Sequence, residues 1–224
     1  MSDSMRILNI PQRPDPQLVA ELARMVTPHL SDSMERLHSG GAQLRPMHKE
    51  GKLAGPAFTV RTAPGDNLLV HKALDMAQPG DVIVVDAEGF TGNAIIGELM
   101  STHAKRRGIA GLVIWGAIRD SAEIGEGNFP VFAAGVTHRG PYKNGPGEIN
   151  VPIVMGGMAV NPGDIVVGDA DGLVAIRQED AGRVLASAKA ILAKETAAMK
   201  QFLAGTADRG WVDKALKEKG YKLP

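Results

Sequence analysis

The apolar positions change period several times along the chain, and those changes outline its elements. An opening stretch to Pro16 holds three prolines and reads as an arm. Leu18, Val19, Leu22, Met25 and Val26 then recur at helical spacing. Asp32 with Glu35 three residues on has the form of a capping box and predicts a second short helix there. Residues 56–62 alternate in part and predict a strand. Pro64-Gly65-Asp66-Asn67 is a turn, with Asp66 or Asn67 placed to cap a helix over 68–76. The short apolar run 81–86 fits a strand buried on both faces. Residues 94–107 read as a helix stopped by Gly108. Further strands are predicted at 110–115, 130–136, 153–160 and 164–167. Asp169-Ala170-Asp171-Gly172 is a strong turn, with 173–176 as its return strand. A long Ala-rich helix covers 179–203, and the last twenty residues are polar and read as peripheral.

Strands alternate with helices in the middle and become hairpin-like later, which predicts an α/β sandwich with a mixed sheet. No linker or solenoid repeat interrupts the pattern. The expectation is one domain over 1–224, with an N-terminal helical extension to about residue 40 and a C-terminal helix over about 179–205.

Composition narrows the function. Aromatic residues are only 4%, so the core is built from aliphatic side chains and Met. The 25 basic and 25 acidic residues balance, where a nucleic-acid binder shows a basic excess. The chain has no Cys, which removes thiolate nucleophiles and zinc–sulfur sites. No stretch has the apolar length of a signal peptide core or a membrane span. The expectation is a soluble cytoplasmic protein without nucleic-acid or membrane partners.

The candidate chemistry lies at Gly97-Glu98-Leu99-Met100 and Gly116-Ala117-Ile118-Arg119-Asp120. Glu98 is followed by twenty residues and then by an adjacent Arg-Asp pair. A helix, a Gly stop, a buried strand and a loop between these anchors bring two carboxylates and a guanidinium to one sheet edge. Two acids can hold a divalent cation through oxygen. An adjacent Arg can pair with a carboxylate substrate in a fork. Metal and Arg together point to a small oxo acid. Other residues have plainer readings. Asp169 and Asp171 form a turn. Lys105-Arg106-Arg107 complements a helix dipole. His71 and His103 read as structural helix residues. Ser101-Thr102-His103 point to different faces, which argues against a nucleophilic triad.

Several segments in order carry a family resemblance: Gly55-Pro56-Ala57-Phe58-Thr59-Val60-Arg61, Pro64-Gly65-Asp66-Asn67, Gly80-Asp81-Val82-Ile83-Val84-Val85-Asp86, Gly97-Glu98-Leu99, the Arg119-Asp120 loop, and the run from Pro162 through Asp169 to Gly172. Together they resemble the family that contains the regulator of ribonuclease activity A and the divalent-metal 4-hydroxy-4-methyl-2-oxoglutarate aldolases. The resemblance covers about residues 31–176. It implies an α/β/α sandwich of the swivelling β/β/α type, assembled as a homotrimer or homohexamer. It also implies pyruvate-releasing aldolase chemistry with oxaloacetate decarboxylation, or else a non-catalytic ribonuclease-binding role or lyase chemistry on another oxo or sugar acid. In the aldolase branch an acid, twenty residues and Arg-Asp mark the site. This chain has Glu98 where many relatives carry Asp. The resemblance assigns Mg²⁺ or Mn²⁺ to Asp120, with Glu98 acting through water and Glu195 reaching a neighbouring subunit. Arg119 would face the substrate oxygens. Gly97, the backbone amides of Leu99 and Met100, and Asn67 would line the substrate site.

Overall fold

The computed structural model describes residues 5–223. The chain divides into two compact units, one through Ala188 and one from Lys189 onward. Asp15 accepts from the Gln17 amide and Pro16 fills the first turn, which starts α1 (Pro16–Leu22). α2 spans Thr27–Asp32, so the predicted capping box does not form. The helix start is instead fixed by buried Asp169, whose carboxylate accepts from the Thr27 amide at 2.8 Å and its hydroxyl at 2.6 Å. Asp32 becomes the last helical residue. Glu35 and Arg36 then turn left-handed, at φ 55° and 66°.

The middle of the chain carries β1 (Arg45–Pro46), β2 (Leu53–Thr62), α3 (Leu68–Met76), β3 (Val82–Asp86), β4 (Ala94–Ile96) and α4 (Glu98–Arg106). It continues through β5 (Gly111–Ile118), α5 (Ser121–Glu126), β6 (Val131–Val136) and β7 (Gly147–Ile149). Last come β8 (Ile153–Met155), β9 (Met158–Val160), β10 (Ile165–Asp169), β11 (Gly172–Ile176), α6 (Ala181–Leu203) and α7 (Gly210–Glu218). Asp66, not Asn67, caps α3, its Oδ1 accepting from the Leu68 amide at 2.9 Å. The helix predicted from residue 94 begins at Glu98, because buried Ala94, Ile95 and Ile96 form a strand beside β5. Its end is as expected, with Gly108 at φ 77°. The run 153–160 is a hairpin, since Gly156 and Gly157 both take positive φ and reverse the chain. Among the described residues no helix is long and apolar enough to cross a membrane.

The main sheet runs β1-β6-β5-β3-β2-β10-β11, with β4 paired to β5 and β7 to β2. β2, β3, β5 and β6 are parallel neighbours, and β1 and β10 join antiparallel, giving the mixed sheet the pattern predicted. Val70, Ala73 and Leu74 of α3 and Ala104 of α4 pack on Ile83, Val85 and Ile114. A second apolar cluster joins Val82, Val84, Val113 and Phe132 to Met155 and Met158 of the β8–β9 hairpin. A third joins β10 and β11 to α1, α2 and the opening of α6, through Leu22, Leu30, Val174 and Val184. Each such buried aliphatic side chain contributes about 1.5–3 kcal/mol. The first cluster, through Ile95, Ile96 and Ile118, holds the ends of β4 and β5 in place.

Candidate active site

β4 and β5 run parallel, so Gly97-Glu98 and Arg119-Asp120 leave the sheet at the same edge. The Arg119 amide donates to the Ile96 carbonyl at 3.0 Å and ties the two exits together. Asp120 follows in a left-handed conformation, φ 54° and ψ 42°, which costs a non-glycine residue about 1–2 kcal/mol. That turn sends its carboxylate back to α4, where Oδ2 accepts from the Glu98 amide at 2.9 Å. Asp120 thus caps α4 from another segment, at the end where the helix dipole favours an anion. Arg119 Nε lies 3.8 Å from the same oxygen. Gly97 makes the arrangement possible. A Cβ there would stand 2.3 Å from Asp120 Oδ2 and 3.1 Å from Arg119 Nε. Its φ of −145° is ordinary extended backbone, so the requirement is for space.

A cavity of about 230 Å³ opens at this edge. The structure brings Asn67, Gly97, Leu99, Met100, Arg119 and Asp120 together around it. The amides of Leu99 and Met100 lie in the first turn of α4, where no preceding carbonyl can accept from them. Asn67 is 2% exposed and donates from Nδ2 to the Ile95 carbonyl at 2.9 Å. Its Oδ1 is buried with no hydrogen-bond partner among the described residues. An orphaned acceptor of this kind costs about 1–3 kcal/mol until a donor reaches it.

Glu98 stands apart from this group. Its exposed side chain lines a separate hollow of about 100 Å³ with Ser101, Lys105 and Glu123. Glu195 lies on α6 in the second compact unit, on an exposed stretch.

Two cavity residues had no functional reading in the sequence. His71 stands four residues after Asn67, so one face of α3 presents both, and that spacing was the available signal. Burial, and then the charge of Lys143, hold its imidazole below the ordinary histidine value, so it is neutral at pH 7. Lys143 comes from the loop over 137–146, where a single Lys among Gly, Pro and polar residues states no role by residue type.

The donor set suits a hard cation. Asp120 Oδ2 is engaged by the Glu98 amide and faces Arg119, which leaves Oδ1 on a side chain 39% exposed. Among the described residues no three of His, Asp and Glu converge on a common point. An ion that keeps most of its water and takes one or two carboxylates, as Mg²⁺ does, fits this sparse site.

The relatives agree with the fold. Residues 27–175 match the model of the RraA-like family, described as Aldolase/RraA. The chain is 43% identical, over 76% of its length and 81% of the relative's, to a protein of Halalkalibacterium halodurans named "Putative 4-hydroxy-4-methyl-2-oxoglutarate aldolase". Among solved structures it is similar to Streptomyces coelicolor RraAS2, described as an unusual member of the RNase ES inhibitor RraA protein family. That match has 30% identity and a TM-score of 0.75, over 83% of this chain and 96% of the other. It is also similar to the RNA-processing inhibitor RraA from Thermus thermophilis, with 32% identity and a TM-score of 0.62, over 67% of this chain and 92% of the other. The match over most of the sheet, with these structural neighbours, places the chain in the RraA-like family.

Proposed function

We propose that this protein is a divalent-metal-dependent lyase. It cleaves a 4-hydroxy-2-oxo acid of the 4-hydroxy-4-methyl-2-oxoglutarate type to pyruvate, and decarboxylates oxaloacetate as a side activity. The observation that carries the reading is the Arg119-Asp120 pair seated on Gly97 at the start of α4, beside a cavity. Asp120, with Glu98 through water, would hold Mg²⁺ or Mn²⁺. When bound, the ion supplies Lewis acidity toward the carboxylate and keto oxygens of the substrate.

The chain's own residues supply the rest. The Leu99 and Met100 amides bind the carboxylate at C1, as helix N-termini bind anions. Arg119 donates to the keto oxygen, where negative charge collects as the C3–C4 bond breaks. A donor placed on developing charge contributes about 3–4 kcal/mol. Glu98, whose side chain opens on the neighbouring hollow, would act on the C4 hydroxyl only through a water, and that water takes the hydroxyl proton. Loss of CO₂ from oxaloacetate develops charge on the same oxygen, so the same residues serve both reactions. A cytoplasmic homotrimer or homohexamer belongs to this reading, with Glu195 supplying an outer carboxylate to the site of a neighbouring copy.

The test is pyruvate release from 4-hydroxy-4-methyl-2-oxoglutarate and from oxaloacetate, with Mg²⁺ and with excess EDTA. Release with metal, abolished by EDTA and by Asp120→Ala, is the expected result. No release from either compound by folded, metal-supplied protein would sink the proposal. The solved relatives described as inhibitors of RNA processing favour a second reading, a non-catalytic protein that binds a ribonuclease. Capture of an RNase E-type endonuclease by protein that releases no pyruvate would establish it.

A further inference from the structure

The loop over 137–146 roofs the cavity, and it is tied down along its length. The Thr137 amide donates to the Ile118 carbonyl at 2.9 Å, and the Arg139 carbonyl accepts from the Ala94 amide at 2.8 Å. The Gly140 carbonyl accepts from Asn93 Nδ2 at 2.6 Å. Tyr142 donates to the Gly65 carbonyl at 2.8 Å and accepts from the Asn67 amide at 3.0 Å. The central tie is Asp66, only 3% exposed. Its Oδ1 starts α3 at Leu68, while its Oδ2 accepts from the amides of Asn144 and Gly145. One buried carboxylate therefore joins the helix that carries Asn67 and His71 to the roof.

Lys143 lies between the anchored peptides of Tyr142 and Asn144. Its side chain lines the cavity, on which Arg119 also opens. The cavity thus holds two cationic side chains and one carboxylate. That carboxylate already faces the α4 amide and Arg119. With the C1 carboxylate of a 2-oxo acid on the α4 amides and its keto oxygen on Arg119, a ligand with a single anionic group leaves Lys143 without a partner, and a second carboxylate supplies one.

We propose that Lys143 binds the distal carboxylate of a dianionic 2-oxo acid, and that Asp66 is the positioning residue that fixes Lys143 over the cavity. This inference rests on the functional reading above, since Arg119 and the α4 amides take the pyruvyl end. Lys143 then selects substrates by a second carboxylate, separately from the bond-breaking groups. The charge of Lys143 is already felt inside the cavity, where it helps to keep His71 neutral. A neutral His71 leaves room for the second anion without adding a third cation.

The test is calorimetric binding of two ligands that cannot be cleaved, pyruvate and 2-oxoglutarate, in the presence of Mg²⁺. They share the pyruvyl end and differ by the distal carboxylate. The expected result is a wild-type preference for 2-oxoglutarate of roughly tenfold or more, as one charge-assisted hydrogen bond provides. Lys143→Met should collapse the ratio toward one, and Lys143→Arg should restore part of it. Asp66→Asn should also lower the ratio with Lys143 still present, which a purely structural loss would not do. An unchanged ratio in Lys143→Met overturns the inference, even if pyruvate release stands. A ratio that collapses in a protein without turnover supports it and sinks only the aldolase chemistry. No binding of either ligand by the wild type overturns both.

Discussion

Asp120 combines three tasks in one side chain. It tolerates a left-handed backbone, caps α4 through the Glu98 amide, and leaves one oxygen toward the cavity. These tasks separate by substitution. Asp120→Asn keeps an oxygen for the amide and a residue type that accepts positive φ. It should unfold in urea within about 0.5 kcal/mol of the wild type while losing pyruvate release. Asp120→Ala loses the cap and the tolerance as well, and should cost about 1–3 kcal/mol in addition. Equal unfolding midpoints for the two variants would show that the side-chain oxygen at position 120 does not hold the helix. The Arg119-Asp120 pair was legible as a candidate because two adjacent residues of those types stand out after a buried strand, whereas the placement of the Glu98 side chain in a separate hollow was not. The reason for Gly97 was not, since it lies in the packing of Asp120 and Arg119 against it. Asp66 was legible as a turn residue, but its hold on amides 78 and 79 positions away has no local trace.

At the scale of elements, the sheet is set by close backbone approaches as much as by apolar pattern. Gly55 in β2 stands where a Cβ would meet the Gly80 carbonyl oxygen at 2.2 Å. The neighbour is main chain and cannot rotate aside. Gly55→Ala should therefore destabilise by about 1–3 kcal/mol, the usual cost of overpacking, as read from the urea midpoint. A wild-type midpoint would mean that β2 has slack against the Gly80 turn that the structure does not show. Elements whose pattern was strong were read closely. α3 spans Leu68–Met76, and the turn at Asp169–Gly172 joins β10 to β11. The errors came where tertiary pairing outweighed local pattern. Ala94–Ile96 extend into the sheet because β5 offers a parallel edge, although the surrounding residues have helical spacing. α2 starts at Thr27 because Asp169, distant in sequence, accepts its amide and hydroxyl. β7 escaped notice because its three residues lie within a Gly- and Pro-rich segment.

For the first compact unit as a whole, a few titratable groups with displaced values tie stability to pH. Burial, more than any charge, holds the carboxyls of Asp86 and Asp164 above the ordinary value of 3.8, against hydrogen bonds that pull them down. The folded chain then keeps protons there that the unfolded chain releases. This contribution is full below 3.8 and is lost as pH rises through the raised values. His71 works in the opposite direction. Its folded value lies below 6.5, so the unfolded chain binds its proton first, and stability falls as pH drops below 6.5. Asp164→Asn isolates the first effect. The Asn side-chain oxygen can still accept from the amide and side chain of Asn161, as Asp164 Oδ2 does at 2.8 and 3.2 Å. Its new NH₂ group faces the broad polar cavity near Arg177 and Gln178, where water can satisfy it. The variant should be more stable than the wild type at pH 7, and the difference should shrink toward zero as pH falls to 3.8. Thermal melts of both proteins across that range measure it. A gap that stays constant with pH would assign the effect to packing, and a variant less stable at pH 7 would show that the ionised carboxylate is favoured where it stands.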